Sequence, residues 1–366
     1  MSRTTDHLSV DGVAVEINLL GGNILDFSID TKSEKPLRPL HVAPWVIAGD
    51  TVPESVPLVE RQLAGDFFCA PFGGGADTPI HGWTANGQWI STGEKKQPDG
   101  GITANYALEQ LVSGAIVTKE LTLAPGHPIL YQCHKFNGGT GHLPVAHHAM
   151  IRAPGGAKLS FSQGCYGVTP NTALESEPER GRSLLAYPQR FSTLHEIQYA
   201  DGTCVDASVY PFAKGHEDLV VLTAAKDQSI GWSAALAQQD GFLFFSIKDV
   251  NILPETILWM SNGGRHYPPW SSRHTSVLGI EEAATSCHEN HQISSKPQRS
   301  TAGHVMGLKL DEKLVQQIPY CFGAVPAPAG WREVIDIRVG VESLVLQDVS
   351  GEEVKLPFKG GHFGLQ

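Results

Sequence analysis

Cysteine is scarce in this chain and never paired in sequence. Six are scattered along 366 residues, at Cys69, Cys133, Cys165, Cys204, Cys287 and Cys321, with no Cys-x-x-Cys among them. That excludes a zinc-ribbon or thioredoxin-type motif, and free, mostly buried thiols are expected. Long apolar runs are also missing. None approaches the ~18 residues that a membrane-spanning helix needs. The start of the chain, residues 1–12, is polar and lacks the apolar stretch of a secretion signal, so a cytoplasmic protein with no membrane partner is expected. Charge is sparse at 18%, and the net charge is −11 with no basic stripe. Nucleic-acid affinity comes mainly from Lys and Arg, so a nucleic-acid partner is excluded and a small neutral molecule is favoured. Helical periodicity is thin, with no βαβ alternation. The glycines of Pro71-Phe72-Gly73-Gly74-Gly75 open no helical pattern and so make a poor phosphate cradle. No Gly-x-Ser-x-Gly, internal repeat or low-complexity tract is present.

What the chain does have is alternation broken by turns. Ala104, Tyr106 and Leu108 alternate with Asn105 and Ala107, and Val117, Leu121 and Leu123 with Thr118, Glu120 and Thr122. Ile335, Ile337, Val339 and Val341 are expected to share one face. Period two places successive side chains on opposite faces of a sheet. Turn signals punctuate the runs, among them Pro98-Asp99-Gly100-Gly101, Asn137-Gly138-Gly139 and Asp240-Gly241. Short strands at regular spacing predict an all-β sandwich or barrel. One short helix is expected at 311–318, with Asp311 as its N-cap. Polar excursions at 168–198 and 286–303 are not linker-like enough to force a boundary. The chain reads as a single domain, 1–366.

Three segments carry chemistry. In the first, residues 79–89, His81-Gly82 lies between Trp83 and Trp89. It reads either as a turn beside core aromatics or as a polar tip beside flat faces on which a sugar stacks. In the second, residues 143–151, His147 and His148 are adjacent in a predicted strand. They must point to opposite faces, so they cannot both ligate one metal. One is expected to face the interior or a cleft, either as a structural histidine or as a proton donor or acceptor. In the third, residues 277–285, a strand carries Glu281 and Glu282. A carboxylate on its apolar face is costly to bury alone, so Glu281 reads either as a solvated edge residue or as a base with a raised pKa. His134, His142, His147 and His148 lie close in sequence, as do His288 and His291. No His-Glu-x-x-His accompanies them, so no metal is expected.

In order, these segments resemble the aldose 1-epimerase (galactose mutarotase-like) family. Further patches match: Gly21-Gly22-Asn23 and the strand after it, Tyr131 to Asn137 with a Gly-Gly turn, Phe242 to Ile247, Leu253-Pro254, Ile257-Leu258-Trp259, and Leu278-Gly279-Ile280-Glu281. The resemblance covers residues 13–285 in patches, with 331–341 as a final strand. It implies a large antiparallel β-sandwich (the galactose mutarotase-like supersandwich) with few short helices, and a sugar cleft on one concave face. It also implies ring opening by a Glu base and a His acid, without a cofactor. By position Glu281 matches the base and His148 the acid, with His147 the alternative for a register shifted by one. His81 matches the second family histidine, which binds substrate hydroxyls. Trp83, Trp259, Trp270, Arg152 and Arg265 are candidate sugar contacts. The acid and base are expected to face each other across a cleft one pyranose wide.

Departures from the family pattern are Glu282 where Pro usually follows the base, and Ala149-Met150-Ile151 after His148. The 85 residues after Glu281 exceed the family's usual length. Insertions are therefore expected near 168–198 and 286–330, the latter a candidate cleft wall or homodimer contact. Two rival readings stand beside the isomerase: a non-catalytic carbohydrate-binding protein on the same fold, and a sugar-active lyase or hydrolase. The last usually needs two carboxylates flanking the bond, whereas Glu281 and Glu282 diverge in a strand.

Overall fold

The computed structural model describes residues 4–74, 77–162, 166–285, 298–300 and 303–366. Two antiparallel sheets dominate. The smaller has seven strands, in the order Arg190–Phe191, Tyr166–Val168, His216–Thr223, Glu255–Asn262, Val277–Ala284, Val145–Arg152 and Phe68–Cys69. The larger has nine, in the order Val209–Tyr210, Ala157–Phe161, Ile230–Ala237, Phe242–Asp249, Val315–Pro326, Ile129–Gly138, Ala115–Leu123, Ile102–Leu108 and Trp89–Lys96. They pack face to face as a β-sandwich. Leu258, Met260, Leu278 and Ile280 of the smaller sheet share one core with Leu121, Phe244, Tyr320 and Phe322 of the larger. Fully burying each such side chain contributes ~1.5–3 kcal/mol.

Both outer faces are covered as well. Against the larger sheet, Trp331, Ile337, Leu346 and Phe358 of the C-terminal segment pack on Trp232, Phe245 and Cys321. Against the smaller, Trp45, Phe67 and Phe72 pack over Met150, Ile257 and Trp259. Strands covered on two faces lose the polar half of their alternation. Glu255–Asn262 and Val277–Ala284 are buried at every position. The opposite case is the edge strand Trp89–Lys96, exposed from Ile90 onward. Its Glu94, Lys95 and Lys96 discourage pairing with another chain.

Three expectations are corrected. Residues 311–318 are not a helix. Asp311 Oδ1 accepts from the Lys313 N–H in a turn, and Val315–Pro326 then runs as the central strand of the larger sheet. Hydrogen bonding to Phe242–Asp249 on one side and Ile129–Gly138 on the other outweighs local helix preference. That strand also lies inside the span read as an insertion near 286–330. Finally, a bulge between Val334 and Asp336 breaks the alternation, so Val334 and Ile337 are buried while Ile335 and Val341 are exposed.

Cys69, Cys133 and Cys321 are free and buried, Cys204 is free and exposed, and Cys165, Cys287, His288 and His291 lie outside the described residues. No described helix is long and apolar enough to cross a membrane.

Candidate active site

Register decides the centre of the site. Val145–Arg152 and Val277–Ala284 are antiparallel neighbours, and His148 stands directly opposite Glu281. The His148 N–H turns the other way and donates to the Phe67 carbonyl at 2.9 Å. The pair is therefore of the non-hydrogen-bonded kind, which brings opposing side chains closest. His148 Nε2 lies 3.2 Å from Glu281 Oε1. The expectation of an acid and base facing each other across a cleft is thus corrected. As cross-strand neighbours on one face they stand side by side, and a sugar ring would lie over them. His147 and Glu282 point to the other face, into the sandwich.

Glycine shapes the surroundings of the pair. A Cβ on Gly279 would come within 3.0 Å of both Glu281 Oε1 and Trp259 Cβ, so its absence keeps the floor between them open. Beside the floor, His81 and Gly82 both adopt left-handed backbone, at φ of 64° and 72°. A Cβ on Gly82 would sit 2.0 Å from the Ala70 carbonyl oxygen, so the turn requires glycine. The turn brings the His81 ring to 5.4 Å from that of His148, against Phe67 and Phe72.

Above the pair is a cavity of about 380 Å³, within the ~300–1,000 Å³ of small-molecule sites. Of the residues singled out in the sequence, His81, His148, Trp259, Arg265, Trp270 and Glu281 line it. The others do not. His147 is fully buried between the sheets, stacked on Tyr320 at 3.9 Å. Trp83 packs half-buried against the main core. Arg152 ends its strand exposed, in a separate groove with Lys35, Arg38 and Asp240.

The sequence reading missed part of the wall. Glu60, Phe67 and Phe72 come from the segment laid over the smaller sheet. Leu174 to Glu177 and Arg180 come from the 168–198 excursion, and Tyr267 from the turn after Arg265. The available signal was that excursion itself, since a long polar loop in a compact domain is where binding residues concentrate. Its Glu175 is tied into the site. Glu175 Oε1 lies 3.0 Å from Arg265 Nε and accepts the Tyr267 hydroxyl at 3.0 Å. Glu217, buried behind, lies 3.5 Å from Arg265 Nε, and accepts from Trp259 Nε1 at 2.5 Å and Ser261 Oγ at 2.9 Å. The Arg265 guanidinium stacks over Trp270 at 4.4 Å.

Electrostatics single out the central pair. Burial pushes the Glu281 carboxyl well above its ordinary range, and Oε2 has no hydrogen-bond partner. Burial, and then nearby His81, hold the His148 imidazole well below its ordinary range. Both shifts disfavour charge, so the resting pair is a protonated carboxyl beside a neutral imidazole. Such a pair can take a proton at one atom and give one at another. Among the described residues no three His, Cys, Asp or Glu side chains converge as metal ligands would.

No protein-family model and no curated protein matches the chain. Solved structures do. A protein of Escherichia coli K12 provisionally named as an aldose 1-epimerase aligns with a TM-score of 0.55 at 13% identity, covering 88% of this chain and 99% of that one. A galactose mutarotase related enzyme from Lactobacillus acidophilus aligns at 0.50 and 10%, covering 89% and 98%. The Slr1438 protein of Synechocystis aligns at 0.52 and 12%, covering 90% and 99%. At such identities the likeness is one of fold, and the fold is galactose mutarotase-like.

Proposed function

We propose that the protein is a cofactor-independent carbohydrate isomerase of the aldose 1-epimerase kind, interconverting the anomers of a sugar. The observation that carries this reading is the desolvated His148–Glu281 pair at the floor of an aromatic-lined cavity. Ring opening removes the proton from the anomeric oxygen and delivers one to the ring oxygen. Both oxygens are bonded to C1, so a side-by-side pair reaches both from one face. Moving the carboxyl proton across the 3.2 Å gap to Nε2 makes Glu281 a carboxylate and His148 an imidazolium. Glu281 Oε2 takes the anomeric hydroxyl proton. That O–H electron pair becomes the carbonyl bond, C1–O5 breaks, and O5 receives the proton of His148 Nε2. The C1–C2 bond rotates, O5 adds to the other face of the aldehyde, and the protons return. The pair ends with the one proton it began with. Each positioned group contributes about 10²–10⁴-fold.

His81 is assigned to substrate hydroxyls, Trp259 and Trp270 to the apolar face of the ring, and Arg265 to donor contacts. A binding protein on the same fold is the second reading. The same 3.2 Å contact favours it, since a base tied to its acid is partly occupied. Saturation-transfer NMR of anomer exchange across neutral hexoses separates the two. Exchange above the buffer rate, lost in Glu281→Gln and in His148→Ala, supports the isomerase. Binding with no exchange for any sugar makes it a binding protein.

A further inference from the structure

The charge lining the cavity bears on which sugar it takes. Glu60, Glu175, Glu177 and Glu281 line it, against two cations, Arg180 and Arg265. Arg265 is already committed, with Glu175 at 3.0 Å and Glu217 at 3.5 Å from its Nε. Arg180 sits at the exposed mouth, stacked on Tyr267 at 4.1 Å. Among the described residues, no ion pair or side-chain hydrogen bond reaches the carboxylates of Glu60 and Glu177. Burial raises the Glu60 carboxyl above its ordinary range, and the Arg265 charge that opposes this rise is held by two other carboxylates. Glu60 is half-buried, and a carboxylate drawn out of water without a partner is costly.

We infer, for the site assigned above to anomer exchange, that its substrate is an amino sugar bearing a protonated amine. An ammonium group offsets the cost at Glu60. It also meets Phe67 and Trp259 on the cavity lining, aromatic rings of the kind that attract cations. A sugar phosphate or uronate would find as its open cation only Arg180 at the exposed mouth, and deeper in the cavity it would face Glu60. A further feature bears on the ligand's orientation: Glu281 lines the cavity, is 2% exposed and has no hydrogen-bond partner for Oε2. With C1 over that atom, the amine is left for the carboxylates of the wall.

The test is calorimetric titration, run beside anomer exchange, slightly below neutral pH. The probes are glucosamine, galactosamine and mannosamine, their parent hexoses, their N-acetyl forms and glucose 6-phosphate. At least one amino sugar is expected to bind about tenfold tighter than its parent, the scale of one charge-assisted hydrogen bond. N-acetylation should remove the gain, added salt should shrink it, and glucose 6-phosphate should bind worse than glucose. Glu60→Gln should narrow the gain several-fold. The inference is overturned if no amino sugar outbinds its parent in the unmodified protein, or if the phosphate is preferred. Exchange without amine preference removes this inference and leaves the isomerase. Amine preference without exchange does the reverse.

Discussion

The two faces of one strand pair carry the same residue types and treat them oppositely. His148 opposes Glu281 on the outer face, and His147 opposes Glu282 on the inner face, one residue away. All four side chains are buried. Glu282 is fully partnered. Ser233, Ser246 and Thr256 donate to it at 2.6–2.7 Å, and Lys248 Nζ lies 2.5 Å away. Burial alone would raise its carboxyl, but the Lys248 charge and these hydrogen bonds outweigh it and hold it below the ordinary range. His147 is stacked on Tyr320, with Asp66 Oδ2 at 3.8 Å. Glu281 has one imidazole neighbour and a free oxygen. A buried carboxylate with four partners locks two sheets together. One with a single neighbour, at the floor of a cavity, has its charged form disfavoured and one oxygen left unpartnered.

The largest expected effect breaks the outer pair. Glu281→Gln keeps the shape and removes the proposed base, so anomer exchange should fall about 10²–10⁴-fold. Thermal unfolding near neutrality should be unchanged or shifted upward, because the amide replaces a group for which burial disfavours charge. Full exchange in this variant would remove Glu281 from the chemistry. The inner pair should respond in stability instead. Glu282→Gln leaves Lys248 buried beside an uncharged amide, and breaking a buried pair costs ~3–5 kcal/mol. Urea unfolding measures this. Adding Lys248→Met should recover part of the loss, and a double variant no better than the single would show that the charges are not coupled.

The two carboxyls should also carry opposite pH signatures. Glu282 titrates low in the folded chain, so its contribution is full above the ordinary carboxylate pKa of ~4.3 and is lost as pH falls through the lowered value. Glu281 titrates high, so its contribution is full below ~4.3 and is lost as pH rises toward the raised value. The cost of Glu282→Gln should therefore shrink on acidification. Glu281→Gln should gain on the unmodified protein as pH climbs, by at most about 1.4 kcal/mol per unit. Urea unfolding from pH ~3 to ~8 tests both, and parallel curves for the two variants would erase the distinction between the faces.

Much of this was legible in the chain because the sheet repeat is two. Alternation gave the all-β class, and adjacency put His147 and His148 on opposite faces without saying which of them faces the cavity. Three things were not legible. Register was one, because nothing local says that residue 148 sits opposite residue 281 rather than across a gap. Double coverage was another. The run at 277–284 does not disclose that both its faces are buried. The third was the loop wall. Glu175 is polar sequence in a polar stretch, and only Arg265, ninety residues later in the chain, gives it a role. The helix expected at 311–318 failed for the same reason, since its partners are distant strands.

The smallest expected effect compares two tryptophans that looked equivalent in sequence. Trp259 lines the cavity and donates to Glu217, while Trp83 packs half-buried against the main core. Replacing each by Phe removes similar area and one N–H. At Trp259 the loss falls on the floor of the cavity and frees one acceptor of Glu217, which keeps Ser261 and Arg265. Sugar affinity should drop by ~1 kcal/mol, about fivefold. At Trp83 affinity should not change, whatever happens to stability. Equal losses of affinity at the two positions would mean that the sugar reaches well beyond the cavity and touches the turn after His81. The His148–Glu281 pair would then face a larger ligand than a single ring.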